Sequence, residues 1–125
     1  MANTILIIDD AVHILDITKH FLVQEGYEVK IAATPKEGIA VAQEGGIDLI
    51  ILDIMMPDVT GLDVLKTLRG RHGAPPPTVI LFTAKSRVED MTEGMQAGAY
   101  NYLVKPTSRE KLLETVKAAL AEAKK

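Results

Sequence analysis

A chain of 125 residues with 47% hydrophobic and 25% charged side chains has the makeup of one globular domain with a buried core. Its net charge of −3 offers no basic field for nucleic acid and no polybasic patch for a membrane surface. With no cysteine, the chain has no disulfide, no thiolate nucleophile and no thiolate metal site.

The three histidines, His13, His20 and His72, are scattered without metal-ligand spacing. No apolar stretch approaches the roughly 18 residues of a membrane span, and no signal peptide is visible. The expectation is a single domain over residues 1–125, cytoplasmic, without direct contact to nucleic acid or membrane.

The elements alternate strand and helix five times. A first strand spans about Thr4–Ile8, and a helix follows from near Ala11 to Glu25, stopped by Gly26. A second strand covers about Tyr27–Ala33. Thr34-Pro35-Lys36-Glu37 then combines a capping box with proline at the first helical position, and that helix ends at Gly45-Gly46. A third strand, Asp48–Leu52, leads through a Met55–Gly61 loop into a helix reaching about Arg69. Gly73-Ala74-Pro75-Pro76-Pro77 is a stiff lead-in to a fourth strand at Val79–Phe82. Ser86-Arg87-Val88-Glu89 is a second capping box, whose helix closes at Gly98. The fifth strand is Ala99–Val104, and Thr107-Ser108-Arg109-Glu110 is a third capping box opening the last helix.

Strands alternating with ten- to fifteen-residue helices predict βαβ units and a parallel sheet, with right-handed crossovers placing helices on both faces. Aromatic residues make up only 4% of the chain, so aliphatic packing must fill the core. Leu15, Phe21 and Leu22 on the first helix fall at helical spacing, as do Leu112, Leu113 and Val116 on the last.

Four apolar runs end on polar side chains. Ile5–Ile8 leads into Asp9-Asp10, Leu49–Leu52 into Asp53, Val79–Phe82 into Thr83, and Tyr102–Val104 into Lys105-Pro106. In an open parallel sheet these strand ends share one crevice, where ligands bind. Carboxylates brought close together repel, and a hard divalent cation such as Mg²⁺ relieves that cost. A carboxylate can also be the nucleophile of phosphoryl transfer, given a cation and donors for the equatorial oxygens. Asp53 is the candidate nucleophile, Asp9 and Asp10 the metal seat, Thr83 a hydroxyl donor and Lys105 an ammonium.

Plainer roles exist for each residue. Asp10 suits the N-cap of the first helix, Thr83 a turn ahead of the Ser86 helix, and Lys105 a solvated surface. Lys105-Pro106 is an X–Pro bond, which admits a cis peptide.

Taken in order, Ile8-Asp9-Asp10, Leu52-Asp53-Ile54-Met55-Met56-Pro57 with Gly61-Leu62, Thr83-Ala84, Ala97-Gly98-Ala99 and Tyr102–Pro106 resemble the receiver domain of two-component response regulators. The resemblance covers the whole chain. It implies a doubly wound, flavodoxin-like α/β fold whose five-stranded parallel sheet has the order 2-1-3-4-5. It implies phosphorylation of Asp53 by a histidine kinase or phosphotransfer protein, with a changed surface read by a downstream effector or output domain. Mg²⁺ would be held by Asp9, Asp53 and the backbone carbonyl of Met55, with Asp10 alongside. Lys105 would pair with a phosphoryl oxygen, Thr83 would swing toward the phosphate, and Tyr102 would be the switch aromatic. The module would be a signalling switch, forming and hydrolysing its acyl phosphate slowly, and Met55 and Lys85 occupy positions that tune that hydrolysis.

Four positions depart from the family's usual pattern: Thr60, where an acidic or amide residue usually precedes the glycine; Thr107, where an apolar residue is usual; and Tyr100-Asn101, in place of an acidic pair. Other functions fit the same fold. A flavin or nucleotide site needs a Gly-, Ser- or Thr-rich first loop, whereas Asp9-Asp10-Ala11-Val12 would repel a bare phosphate. An aspartate-nucleophile phosphatase usually carries Asp-x-Asp where this chain has Asp-Asp. A receiver-like scaffold that is never phosphorylated would have no need of the complete polar set.

Overall fold

The computed structural model describes residues 3–54, 61–69, 78–84 and 88–123. The Met55 carbonyl, Thr60, the proline lead-in, Lys85 and the Ser86-Arg87 start of the second capping box lie outside the described residues. The elements are β1 (Thr4–Ile8), α1 (Val12–Gln24), β2 (Glu28–Ala32), α2 (Pro35–Gln43), β3 (Leu49–Leu52), α3 (Gly61–Arg69), β4 (Thr78–Thr83), α4 (Val88–Gln96), β5 (Asn101–Val104) and α5 (Arg109–Ala123).

The strands form one parallel sheet in the order β2-β1-β3-β4-β5. Ile8 lies beside Leu52, and Leu52 beside Leu81, so the carboxyl ends of the three central strands are level. That register brings Asp9, Asp53 and Thr83 to one edge.

The pleat splits the core in two. Leu6, Ile8, Ile50, Leu52, Leu81 and Tyr102 face α2, α3 and α4. Ile5, Ile7, Leu49, Ile51, Ile80, Phe82 and Leu103 face α1 and α5. β1, β3 and β4 are buried along almost their whole length, as strands covered on both faces must be. β2 is an edge strand, with Glu28, Lys30 and Ile31 exposed.

Leu15, Leu22, Leu112, Leu113 and Val116 are buried as their spacing predicts. Phe21 is only half-buried, because its ring lies 5.8 Å beneath the Arg109 guanidinium at the rim of the α1/α5 layer. On the opposite layer α2 rides close to the sheet. A Cβ at Gly38 would come within 2.5–3.1 Å of three side-chain atoms of Ile8.

Helix starts follow their caps, with two shifts. Thr34 Oγ1 accepts from the Glu37 N–H at 3.1 Å, and Pro35 opens α2 as expected. The last helix is capped one residue later than the Thr107 box predicts: Ser108 Oγ accepts from the Lys111 N–H at 3.0 Å. That register sets Lys111, not Glu110, three residues beyond the cap. The cap position of α1 is Ala11, without a side-chain cap, so Asp10 is not spent on helix initiation. β5 starts at Asn101, two residues later than expected, because the Ala99 N–H still closes α4 on Gly94 O.

Candidate functional site

Each site residue continues from a strand that fixes its backbone. The Asp9 N–H donates to Ala32 O at 3.1 Å and the Asp53 N–H to Ile8 O at 2.9 Å, so both acidic residues are held by the last rungs of the ladder. The Lys105 N–H donates to Thr83 O at 2.8 Å, tying the β5 exit to the β4 exit. Gly61, at the start of α3, lies so close to β3 that any Cβ there would collide with the Asp53 carbonyl oxygen and with Ile54 Cα. Only glycine allows this approach.

The three carboxylates converge. One oxygen from each of Asp9, Asp10 and Asp53 lies within 4.8 Å of the others, with Asp9 and Asp53 buried and Asp10 exposed. Hard oxygen donors in such a group suit a divalent cation that keeps part of its water shell.

Lys105 joins them. Its Nζ donates to Asp9 Oδ2 at 2.5 Å and lies 3.4 Å from Asp53 Oδ2. The Lys105 side chain is 15% exposed, so the plain solvated lysine is not what the fold builds. The Lys105-Pro106 peptide is cis.

Asp9 Oδ1 accepts from the Ala11 N–H at 2.9 Å. Burial is the largest influence on the Asp9 carboxyl and raises its pKa above the ordinary 3.8; the charge on Asp53 adds to this, outweighing the opposing hydrogen bonds from Lys105 and Ala11.

Thr83 is fully buried at the end of β4, opposite Val104. Tyr102 is 7% exposed, and its ring packs in the α2/α3/α4 layer. Burial raises the Tyr102 hydroxyl pKa, with Asp90 and Asp53 adding to the effect. The fold thus gathers Asp9, Asp10, Asp53 and Lys105 directly and sets Thr83 and Tyr102 on the strands beside them. Sequence reasoning passed over Phe82, whose ring lies 5.3 Å beneath Lys105 Nζ; alternation along β4 was the available signal, since it turns Phe82 away from Leu81 and Thr83.

Comparison with known proteins agrees with this architecture. Residues 5–117 match the response regulator receiver domain model. The chain is 40% identical over 118 residues to the uncharacterized transcriptional regulatory protein YkoG of Bacillus subtilis, covering 94% of this chain and 51% of the relative. It is 37% identical over 125 residues to the regulatory protein VanR of Enterococcus faecium, covering 100% of this chain and 53% of that protein. The chain therefore spans about half the length of the curated relatives it matches.

Among solved structures, a CheY-like response regulator receiver domain protein from Methanospirillum hungatei is 38% identical with a TM-score of 0.91, covering 99% of this chain and 98% of that one. The chemotaxis protein CheY4 of Vibrio cholerae is 34% identical with a TM-score of 0.89, covering 95% and 99%. No helix among the described residues is long and apolar enough to cross a membrane. The chain belongs to the response regulator receiver domain family, the phosphoacceptor switch modules of two-component signalling.

Proposed function

We propose that Asp53 is the phosphoacceptor, and that a histidine kinase or phosphotransfer protein is the donor. The observation that carries this reading is the convergence of Asp9, Asp10 and Asp53 within 4.8 Å, with Lys105 Nζ bridging Asp9 and Asp53. A carboxylate oxygen of Asp53 attacks the donor's phosphorus, the P–N bond to the donor imidazole breaks, and an acyl phosphate forms. Asp9, Asp10 and Asp53 have the hard-oxygen chemistry to hold Mg²⁺, which supplies neutralising charge for the incoming phosphoryl group. Lys105 transfers its pairing from Asp53 to a phosphoryl oxygen. Thr83 and Tyr102 carry the change outward, because a phosphoryl group adds about −1.5 to −2 charge and three acceptors. Slow attack by water on the acyl phosphate resets the switch. The cytoplasm is the proposed setting, where two-component phosphotransfer takes place. The relatives' names support a transcriptional output lying beyond the half they share with this chain.

Incubation with a small acyl or amidophosphate donor and Mg²⁺ should give an acid-stable, base-labile adduct on Asp53. Stoichiometric labelling of Asp53→Asn would overturn the assignment. Mg²⁺ at about 100 times its dissociation constant should stabilise the fold by about 2.7 kcal/mol, and Asp9→Asn should abolish that shift in a urea titration.

A further inference from the structure

We propose that Phe82 is a positioning residue for Lys105, its ring face serving as a second seat for the ammonium beside the carboxylates. The proposal rests on the reading of Asp53 as acceptor and of Lys105 as the group that meets the phosphoryl oxygens. Three observations carry it. Lys105 Nζ lies 5.3 Å from the Phe82 ring centroid, inside the range of a cation–π contact. Phe82 is 7% exposed and fixed in the α1/α5 core, so the ring does not follow the lysine; the lysine is held to the ring.

The third observation is the wall on which the ring stands. A cavity of about 150 Å³ opens between α1 and α5, lined by Ile14, Phe21, Leu112 and Pro106 as well as Phe82 and Lys105. The wall is mostly apolar, with the hydroxyl residues Thr18, Thr107 and Ser108 also along it, and it offers an ammonium no carboxylate. The second ring on it, Phe21, lies under the Arg109 guanidinium at 5.8 Å. These are the chain's only two phenylalanines, and each lies beneath a cation. The negative face of Phe82 is the surface on that side over which the Lys105 ammonium already lies.

A second seat matters because Lys105 has to change partners. Its ammonium neutralises Asp9 and Asp53, the same oxygens that a divalent cation would claim. When it gives up part of that pairing, a lysine with four rotatable bonds would otherwise extend into water and lose its place near Asp53. The ring keeps it within the crevice, ready for phosphoryl oxygens.

The test uses the intact chain. In proton NMR the Lys105 ε-methylene resonances should lie upfield of those of Lys117, which is 61% exposed, because they sit over an aromatic face. Phe82→Leu should move them to the Lys117 position and slow labelling of Asp53 by a small acyl phosphate about threefold to tenfold, the range a partly desolvated cation–π contact commands. Phe82→Tyr keeps the ring and should preserve both readouts.

Wild-type Lys105 resonances coinciding with those of Lys117 would overturn the proposal, and that reading needs no variant to fold. So would a folded Phe82→Leu protein that labels at the wild-type rate. If Asp53→Asn still accepts the phosphoryl group, the acceptor assignment fails instead, and the ring-current result stands apart from it.

Discussion

The two faces of the sheet are held in different ways. The α1/α5 face is a conventional aliphatic seam: Leu15 and Leu22 from one helix and Leu112, Leu113 and Val116 from the other fill the space over Ile5, Ile7, Ile51 and Phe82. The α2/α3/α4 face depends on close approach. Gly38 lies against Ile8, and Gly61 lies against the backbone of Asp53 itself. The first face anchors Lys105 through Phe82, whereas the second carries Tyr102 and the start of α3. A module that must accept a charge and report it has one layer suited to fixing the site and another in contact with it through backbone.

The largest effect should come from the seam. Leu22→Ala removes a side chain with no exposure, and should cost about 2–5 kcal/mol in urea unfolding. The Mg²⁺-dependent stabilisation should persist in that variant; its loss would show that the two faces are not separable. Gly61→Ala comes next, at about 1–3 kcal/mol for overpacking. Here the collision is with Asp53 and Ile54 backbone, so phosphorylation should slow as well. Wild-type labelling by a destabilised Gly61→Ala protein would erase the proposed distinction between the layers.

Ser108→Ala should cost about 1 kcal/mol by uncapping α5, while Thr107→Ala should leave the melting temperature nearly unchanged. The reverse order would restore the cap to Thr107.

The smallest effect concerns pH. The folded state holds the Asp9 proton to higher pH than the unfolded chain does, because burial raises that carboxyl. In the window between the unfolded value, near 3.8, and the raised folded value, the folded state binds more protons. Stability contributed by Asp9 therefore falls as pH rises through that window, and its cost is fully present above it. In chelator-treated protein, the stability of wild type relative to Asp9→Asn should decline as pH rises. A difference that grew with pH would mean that Lys105 and the Ala11 N–H outweigh burial.

Much of this was legible in the sequence because the signals were local. Apolar runs ending on Asp9, Asp53, Thr83 and Lys105 marked strands and crevice together, and Thr34-Pro35 marked a helix start with its cap. The third capping box failed by one residue, since Thr107 and Ser108 are both good caps and only the chain's path out of β5 decides between them. Phe82 was not legible as part of the site. Its contact with Lys105 joins side chains 23 positions apart, and no periodicity announces such a pair. Gly61 could be read as part of the motif, but how closely the start of α3 returns to the end of β3 could not.

β2 leaves one side of the sheet open, a row of backbone donors and acceptors that another strand could extend. It is only five residues long, and Glu28 and Lys30 stand exposed along it. Strand addition would bring charged side chains into register with a newcomer and strip their water. This short, charged border therefore disfavours joining a second sheet at the β2 edge.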